Sequence, residues 1–265
     1  MEKSNIGEKI KLLTGSGMWH TREAEELPSV HLSDGPHGLR KQEEKERQNN
    51  VSLVSTCYPT ASALACSWDV TAAERLGRAV AKEAWNADVA VLLGPGINMK
   101  RSPLCGRNFE YFSEDPFLAG RLGAAYVSAA QGENVAVSLK HFAANNQETN
   151  RQTSNSQIDE RALREIYLSA FEYVVKTARP ATVMASYNRL NGYYACENRH
   201  LLTEILREEW GFDGVVISDW GACADLAKAV KAGMDLEMPD SHGIHARKLK
   251  AALKAGEISE EDIAK

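Results

Sequence analysis

The 265-residue sequence has no long hydrophobic run, and its five cysteines include no CxxC pair. A helix that crosses a bilayer needs about 20 consecutive apolar residues, and the amino terminus "MEKSNIGEKIKLL" is too polar for a signal peptide. An odd number of cysteines without paired spacing is typical of reduced thiols, not of a disulfide framework or a zinc site. These absences predict a cytoplasmic protein that contacts no membrane. They also predict cysteines that serve in packing, Cys66 most clearly.

Clustered positive charge is also missing, since Lys and Arg are scattered and the formal net charge is −5. This distribution argues against a nucleic-acid partner or a polybasic membrane surface. The longest charged run, "RKQEEKERQNN" at 40–50, mixes both signs and indicates a solvated loop. With 43% hydrophobic residues the chain can bury a large core, and we expect one domain over 1–265. The sequence leaves the oligomeric state open, a homo-oligomer included.

Apolar runs typical of strands alternate with segments of helical periodicity. The runs are "SVHLSDG", "DVAVLLGPG", "VAVSLKHF", "ATVMASYN", "GVVISDW" and "MDLEMPD". Helix starts are predicted at Thr71 with Glu74, which have capping-box spacing, and at Asp115 before Pro116. One helical stripe consists of Leu163, Ile166, Ala170, Phe171 and Val174. Strands that alternate with helices and are apolar nearly throughout predict a parallel α/β fold.

Polar residues stand at the end of almost every apolar run. They are Ser33 and Asp34, Lys140 and His141, Ser186 to Asn188, Ser218 and Asp219, and Glu237 with Asp240. In a TIM-like (β/α) barrel all strands open their carboxyl ends onto one mouth, where active sites are built. A doubly wound sheet is the alternative, but a barrel explains the clustering better. We therefore expect a TIM-like barrel, which the early end of the chain would leave incomplete.

Asp219 stands where the run "GVVIS" ends, and two interpretations are open. At the carboxyl end of a parallel strand an aspartate is placed for chemistry. Alternatively, Asp219 caps the helix predicted for "GACADLAKAV", because Asp is a favoured N-cap residue. The position alone does not decide between them.

Five motifs spread over most of the chain carry a family resemblance. They are "SDGPHGLR" (33–40), "LLGPGINMKRSPLCGRNFEYFSEDP" (92–116), "SLKHFAANNQETNR" (138–151), "SYNRLNG" (186–192) and "GFDGVVISDWGA" (211–222). In this order they resemble the amino-terminal catalytic domain of the family 3 glycoside hydrolases, and its β-glucosidase branch most. The loop "FAANNQETNR" lacks the "GHG"-type histidine of the branch that acts on N-acetylglucosamine.

The resemblance implies a retaining exo-acting enzyme that removes one sugar from a non-reducing end, with Asp219 as nucleophile. It also implies a group of sugar-binding side chains, namely Asp34, Arg107, Lys140, His141, Arg151, Tyr187 and Trp220. Charged groups form strong hydrogen bonds with the hydroxyls of a pyranose, and a covalent intermediate needs an ionised carboxylate at the anomeric carbon. No cofactor is expected.

Nearby residues have supporting or structural interpretations. Arg107 and Lys140 should help to keep Asp219 ionised, because positive charge favours the charged form of a carboxylate. Glu110 and Glu114 flank Arg107 and are plausible partners that hold its side chain, and Arg151 could be an ion-pair partner instead of a sugar contact. His242 and His245 are spaced three apart beside Asp240, but without a third ligand we interpret them as loop residues and expect no metal.

A retaining glycosidase also needs a second carboxyl group, about 5 Å from the nucleophile, to protonate the leaving group. Many members of the resembled family supply it from an α/β sandwich domain, which this sequence lacks. Ser259 and Asp262 have capping-box spacing, yet the chain stops one turn later. We therefore expect a truncated domain with exposed apolar surface at this end and very low activity alone.

Several functions remain open at this stage. The leading one is the nucleophile-bearing domain of a β-glucosidase, whose partners are a β-glucoside or oligosaccharide substrate and the missing carboxyl-terminal sandwich domain. A β-xylosidase or another exo β-glycosidase is the alternative among enzymes of this type. A catalytically idle sugar-binding domain and an unrelated metal-dependent barrel also stay open.

Overall fold

Five parallel strands form the main sheet in a computed structural model that describes residues 6–24, 27–42 and 51–264. In chain order the strands are β1 (Leu32–Asp34), β2 (Val91–Leu93), β3 (Ala136–Phe142), β4 (Asn155–Ser156), β5 (Thr182–Ala185), β6 (Arg189–Leu190), β7 (Tyr193–Tyr194) and β8 (Val215–Ser218). The main sheet has the order β1-β2-β3-β5-β8, and a small second sheet has the order β4-β6-β7. Five of the six predicted runs are therefore strands of one sheet. Most of the predicted charged loop, at 43–50, lies outside the described residues.

Helices follow the strands of the main sheet. They are α1 (Ile6–Leu12), α2 (Ala61–Ala65), α3 (Val70–Asn86), α4 (Pro116–Gln131), α5 (Glu160–Ala162), α6 (Ser169–Ala178), α7 (Leu226–Ala232), α8 (Ile244–Lys254) and α9 (Glu260–Ala264). In the described ranges the regular structure is completed by two π-helical segments, Leu163–Tyr167 and His200–Glu209, and two 3-10 segments, Asn108–Glu110 and Ala195–Glu197.

The sixth predicted run, 234–240, extends the sheet by single bridges and not as a full strand. Leu236 pairs in parallel with Ile217 of β8, and Glu237 pairs in parallel with Thr14. Within the described ranges the main sheet has five strands, fewer than the eight of a complete barrel. The predicted α/β fold with an incomplete TIM-like barrel is thus confirmed.

Helices α3, α4 and α6 pack side by side along the sheet. Gly77 of α3 lies against the backbone of α4, where an added Cβ would come within 2.5 Å of the Tyr126 carbonyl oxygen. Such a close approach requires a glycine.

Leu92, Leu139 and Phe171 are fully buried in one core cluster, whereas neighbouring strand residues such as Leu93 and Met184 belong to a second buried cluster. Alternate residues of the strands are thus buried on both faces.

The helix starts show which local signals were interpreted correctly. Asp115 accepts a hydrogen bond from the Phe117 amide (3.0 Å) and caps α4 as predicted. The predicted capping box at Thr71 is wrong, because Asp69 caps α3 two residues earlier and accepts from the Thr71 amide (2.8 Å). Aspartate competes well for the N-cap position, and here it precedes the threonine.

At the carboxyl end, the predicted capping box is confirmed, since the Asp262 amide donates to Ser259 Oγ (3.1 Å) and the Ser259 amide donates to the Asp262 carboxylate (3.1 Å). Ile258 and Ile263 are buried where α9 packs near α1 and α7.

The predicted helical stripe holds for four of its five members. Leu163, Ala170, Phe171 and Val174 are buried, whereas Ile166 is 40% exposed. The stripe assumed α-helical spacing, but Leu163–Tyr167 is π-helical. A π turn carries more residues than an α turn, so Ile166 is rotated away from the core.

All five cysteines fall within the described ranges and are free thiols. Cys105, Cys196 and Cys223 are buried, but Cys57 and Cys66 are exposed. The packing role predicted for Cys66 is wrong, because this residue caps the carboxyl end of α2 and faces solvent. Among the residues that the structure describes, no helix is both long enough and apolar enough to span a bilayer.

Candidate active site

The polar residues that end three strands of the main sheet meet at one edge. Asp34 ends β1, Lys140 and His141 lie near the end of β3, and Asp219 follows β8. The Lys140 ammonium donates to Asp34 Oδ1 at 2.8 Å, and the two residues are 106 positions apart in the chain. The parallel sheet therefore brings distant motifs into contact, as predicted.

An irregularity in β3 allows two consecutive side chains to reach this edge. Neighbouring residues of a regular strand point to opposite faces. The register between β3 and β5 shifts between Leu139 and Phe142, and such a bulge re-aims side chains. As a result Lys140 contacts Asp34 while His141 contacts Arg107.

Arg107 connects the carboxylates and the imidazole of the site. Its Nε donates to Glu110 in a short hydrogen bond, and its Nη2 donates to His141 Nε2 at 2.6 Å. Its Nη1 lies 3.9 Å from Asp219 Oδ2. Glu110, 5% exposed, also lies 4.0 Å from the Lys140 ammonium. The predicted partnership with Arg107 is confirmed for Glu110, whereas the described residues show no ion pair between Glu114 and Arg107.

The contacts of His141 fix its tautomer. A guanidinium only donates hydrogen bonds, so Nε2 of His141 is the acceptor from Arg107. Nδ1 then carries the proton and donates to the Tyr111 hydroxyl, 3.0 Å away. Complete burial, followed by the charges of Arg107 and Lys140, holds the pKa of His141 well below its usual value. The side chain is thus a neutral imidazole.

Asp219 presents one free carboxylate oxygen. Its Oδ1 accepts a hydrogen bond from the Trp220 amide at 2.7 Å. Oδ2 is buried and, within the described part of the chain, accepts no hydrogen bond. It lies 3.7 Å from His141 Nε2 and 3.9 Å from Arg107 Nη1. A buried polar atom without a partner is costly and calls for an explanation.

Burial and charge act in opposite directions on the carboxyl of Asp219. Burial raises its pKa, and the charge of Arg107, the Trp220 amide, Lys140 and the Tyr187 hydroxyl lower it. The net pKa lies above the ordinary value. The cations therefore act in the predicted direction but only partly offset the loss of hydration.

The alternative interpretation of Asp219 as a helix cap is wrong. The following helix, α7, begins at Leu226, and its N-cap is Asp225, which accepts from the amides of Ala227 (3.0 Å) and Lys228 (3.3 Å). Asp219 lies six residues upstream of this cap. It is held by the Trp220 amide and by its own amide, which donates to the Ala185 carbonyl at 2.9 Å.

The remaining predicted residues surround the carboxylate. Tyr187 donates its hydroxyl to the Trp220 carbonyl at 2.9 Å, and the Arg151 guanidinium lies 4.2 Å from the centre of the Tyr187 ring. Trp220 packs against Trp19 with ring centres 5.2 Å apart and donates Nε1 to the Met18 carbonyl at 2.8 Å. All eight predicted site residues thus belong to one connected region.

Asp34 and Lys140 form a charged pair at the rim of this region. The Asp34 side chain is 35% exposed, whereas that of Lys140 is only 3% exposed. Burial acts to raise the pKa of Asp34, but the charge and hydrogen bond of Lys140 outweigh it and lower the pKa. Asp34 is therefore an ionised acceptor that faces the opening.

Sequence reasoning missed several supporting residues. Tyr111 holds the His141 ring, and Asn98 pairs with the His141 backbone in both directions, at 2.7 and 2.8 Å. Trp19 extends the aromatic surface of Trp220. Asn98 and Tyr111 lie inside the motif at 92–116, but their spacing does not reveal their role, because their partner His141 lies 43 and 30 positions further along the chain.

Of the two histidines predicted to lie in a loop, one differs from its predicted setting. His245 lies in α8 and not in a loop, and its Nδ1 forms a short hydrogen bond with Glu237. His242 lies before the helix, as expected of a loop residue.

Comparison with known proteins identifies relatives of the whole chain. Residues 36–265 match the family model described as glycosyl hydrolase family 3 N terminal domain. The thermostable beta-glucosidase B of Acetivibrio thermocellus is 52% identical over 264 residues, which cover 98% of this chain and 35% of that protein. An exo-alpha-(1->6)-L-arabinopyranosidase of Bifidobacterium longum is 50% identical over 242 residues, covering 89% of this chain and 32% of that protein.

Solved structures agree with this result. The family 3 beta-glucosidase of Bifidobacterium adolescentis superposes with a TM-score of 0.91 at 46% identity, covering 98% of this chain and 37% of that one. Beta-glucosidase 3B of Thermotoga neapolitana, in complex with glucose, gives a TM-score of 0.93 at 40% identity, covering 98% of this chain and 40% of that one. The chain spans roughly a third of the length of these relatives.

Proposed function

Because this chain belongs to glycosyl hydrolase family 3, we propose that it is the nucleophile-bearing domain of a retaining, exo-acting β-glucosidase. The enzyme hydrolyses terminal non-reducing β-D-glucosyl residues through a covalent intermediate on Asp219. One observation carries the proposal. The buried Oδ2 of Asp219 has no hydrogen-bond donor among the described residues and lies within 4 Å of Arg107 and His141. A bound sugar would give this oxygen its partner.

In the first step, Oδ2 of Asp219 bonds to the anomeric carbon as the bond to the leaving oxygen breaks. The transition state carries positive charge on the sugar, which the carboxylate stabilises. In the second step, water adds to the same carbon and gives its proton to the group that protonated the leaving oxygen, while the bond to Asp219 breaks, which restores the carboxylate. The Trp220 amide holds Oδ1 at 2.7 Å and so fixes the direction of Oδ2.

The surrounding charges bind and orient the sugar. Asp34 is an acceptor for hydroxyls at the opening, and the adjacent Lys140 is a donor. Arg107 is a donor deeper in the site, near Asp219, where the neutral His141 ring also lies. Trp220, together with Trp19, provides an apolar wall for a sugar face. Charged hydrogen bonds to hydroxyls are strong and directional, so this set selects the ring orientation.

We infer that the acid that protonates the leaving group comes from outside residues 1–265. The carboxylates near Asp219 already have cationic partners, since Glu110 is paired with Arg107, Asp34 with Lys140, and Glu148 with Arg151. Loss of a general acid costs about a hundred- to ten-thousand-fold in rate. The chain alone should therefore act very slowly on natural glucosides and less slowly on substrates with activated leaving groups.

A second specificity is supported by one relative. The Bifidobacterium longum protein named as an arabinopyranosidase is 50% identical to this chain, close to the 52% of the beta-glucosidase B. Arabinopyranose and xylose lack the hydroxymethyl group of glucose. Rates on nitrophenyl xyloside, arabinopyranoside and glucoside would rank these three sugars, and a higher rate on a pentoside would replace glucose as the substrate.

The decisive test of the proposal is trapping with an activated 2-deoxy-2-fluoro-glucoside. We expect mass spectrometry of the intact chain to show one added sugar, and peptide mapping to place it on Asp219. Trapping does not need the missing acid, because the activated leaving group departs without protonation.

Variants make this test specific. Asp219→Asn should abolish trapping, whereas Asp213→Asn, which alters an exposed carboxylate paired with Arg179, should leave it unchanged. A folded chain that gains no sugar, or gains it on another residue, would refute the role of Asp219. Binding of glucose without trapping would instead support an idle sugar-binding domain.

A further inference from the structure

Three side chains outside the sugar site converge from separate elements. Cys223 follows β8, Glu237 lies in the run that extends the sheet, and His245 lies in the first turn of α8. One ligand atom of each (the thiol sulfur, a carboxylate oxygen and an imidazole nitrogen) lies within 4.8 Å of the other two. Thiolate, carboxylate and imidazole are the three ligand types that zinc uses in proteins.

A tetrahedral ion would require small adjustments of the three ligand atoms. With ligand bonds of about 2.0 to 2.3 Å, the ligands of such an ion lie roughly 3.3 to 3.8 Å apart. Glu237 and His245 are already in direct contact through a short hydrogen bond. A cation between them would replace the proton of this bond, and the Glu237 oxygen and the His245 nitrogen would move apart to the separation of two metal ligands. A small movement of Cys223 would complete three ligands. The fourth position is left for water, as in an open zinc site.

Because Cys223 and Glu237 are buried, a bound cation should stabilise them. Cys223 is 5% exposed and Glu237 is 3% exposed, so few waters reach the sulfur or the carboxylate. A buried carboxylate is costly unless it is paired or coordinates a metal. Ser241 contacts both Glu237 and His245. Its Oγ lies 3.4 Å from Glu237 Oε2 and accepts a hydrogen bond from the His245 amide at 3.2 Å. Such outer contacts orient metal ligands.

We propose that Cys223, Glu237 and His245 form a binding site for a thiophilic divalent cation of the zinc type. This revises the sequence-based expectation that His245 ligates no metal. The ion would tie the loop that follows Asp219 to run 234–240 and to α8. The same loop is already linked to that run, because the Gly221 amide donates to the Met238 carbonyl at 2.8 Å. Bound cation should therefore stabilise this edge of the sheet without contacting the sugar.

Cobalt(II) is the probe that reports the site directly. The titration uses the chain with Cys57→Ser and Cys66→Ser, because these two exposed thiols could bind metal on their own. We expect a thiolate-to-cobalt charge-transfer band and visible d–d bands that saturate at one ion per chain. Zinc should displace cobalt and raise Tm.

Ligand variants in this background distinguish the site from adventitious binding. Cys223→Ser should remove the charge-transfer band, and His245→Ala should weaken binding at least about tenfold, as loss of ligand support commonly does. Cys105→Ser is the matched control, because it changes a buried thiol outside the cluster and should leave the spectrum intact.

If Cys223→Ser fails to fold, X-ray absorption of the zinc-loaded chain with Cys57→Ser and Cys66→Ser identifies the ligands of the ion instead. We expect one sulfur at about 2.3 Å together with nitrogen and oxygen ligands. Coordination without sulfur, absence of the charge-transfer band, or a band that persists in Cys223→Ser would overturn the proposal. Sugar trapping on Asp219 is independent of all these outcomes.

Discussion

Arg107 Nη2 lies 2.6 Å from Nε2 of His141, and both side chains lie within 4 Å of the same carboxylate oxygen of Asp219. The contact makes His141 an acceptor, so its proton is on the far side of the ring. Arg107 is itself held by Glu110. The position of Arg107, the cation near Asp219, therefore depends on Glu110, which does not contact the Asp219 carboxylate itself.

Replacement of Glu110 tests this support. Glu110→Gln removes a buried charge that contacts Arg107 and lies 4.0 Å from Lys140. We expect the free energy of unfolding to fall by about 2 kcal/mol, since hydrogen bonds to charged groups contribute about that much. Misplaced cations should also weaken glucose binding about tenfold, equal to about 1.4 kcal/mol.

Calorimetric titration with glucose and denaturant unfolding measure the two effects of Glu110→Gln. Glu114→Gln, which changes a carboxylate of the same segment without an ion pair to Arg107 in the described structure, is the control and should alter neither. Unchanged glucose affinity in folded Glu110→Gln would show that Arg107 keeps its position without this partner.

Tyr111→Phe tests the orientation of His141. It removes the hydroxyl that accepts from His141 Nδ1 at 3.0 Å and leaves a buried N–H without a partner. Such a loss costs about 1–3 kcal/mol in unfolding free energy. The ring should also turn more freely, so trapping by the fluoro-glucoside should slow about tenfold.

Tyr126→Phe is the matched control for Tyr111→Phe. Its buried hydroxyl donates to the Pro36 carbonyl at 2.7 Å, away from His141. We expect a similar loss of stability with normal trapping. Equal trapping rates in the two variants would mean that Tyr111 acts only on stability.

The raised pKa of Asp219 predicts how stability varies with pH. The folded carboxyl binds its proton more tightly than the unfolded one, so the ionised side chain lowers stability at neutral pH. Asp219→Asn should therefore have a higher Tm than the wild type at pH 7. The difference should shrink as pH falls through the folded pKa and vanish below the unfolded pKa, about 3.9.

Thermal unfolding of Asp219→Asn at a series of pH values checks this sign. Asp213→Asn, at an exposed position, should show no such trend. A lower Tm for Asp219→Asn at pH 7 would mean that the contacts of the ionised carboxylate outweigh its burial.

Asp225→Ala tests whether the N-cap of α7 can be removed without affecting the reaction at Asp219. Loss of the N-cap should cost about 1 kcal/mol of stability, because the amides of Ala227 and Lys228 lose their acceptor. Trapping on Asp219 should continue at the normal rate. A severe loss of trapping with intact folding would show that α7 positions the nucleophile more directly than its contacts suggest.

Local signals were accurate where one short segment decides the outcome. Asp115 caps α4 as predicted, because the N-cap and the first helical amides are neighbours in the chain. Ile166 departs from its predicted stripe since a π turn in a helix cannot be deduced from apolar spacing. Cys66 is exposed although its neighbours in the sequence are apolar, because the packing around α2 sets its solvent accessibility.

The sequence by itself determined the alternation of strands and helices and the polar strand ends, and its motifs named eight candidate site residues. These follow from chain-local patterns and from motifs that keep their order. Only the tertiary structure decided that Arg107 bridges His141 and Glu110, that Asp219 keeps one oxygen free, and that Cys223 meets His245. Such contacts depend on how strands and loops pack in three dimensions, and spacing along the chain does not encode those distances.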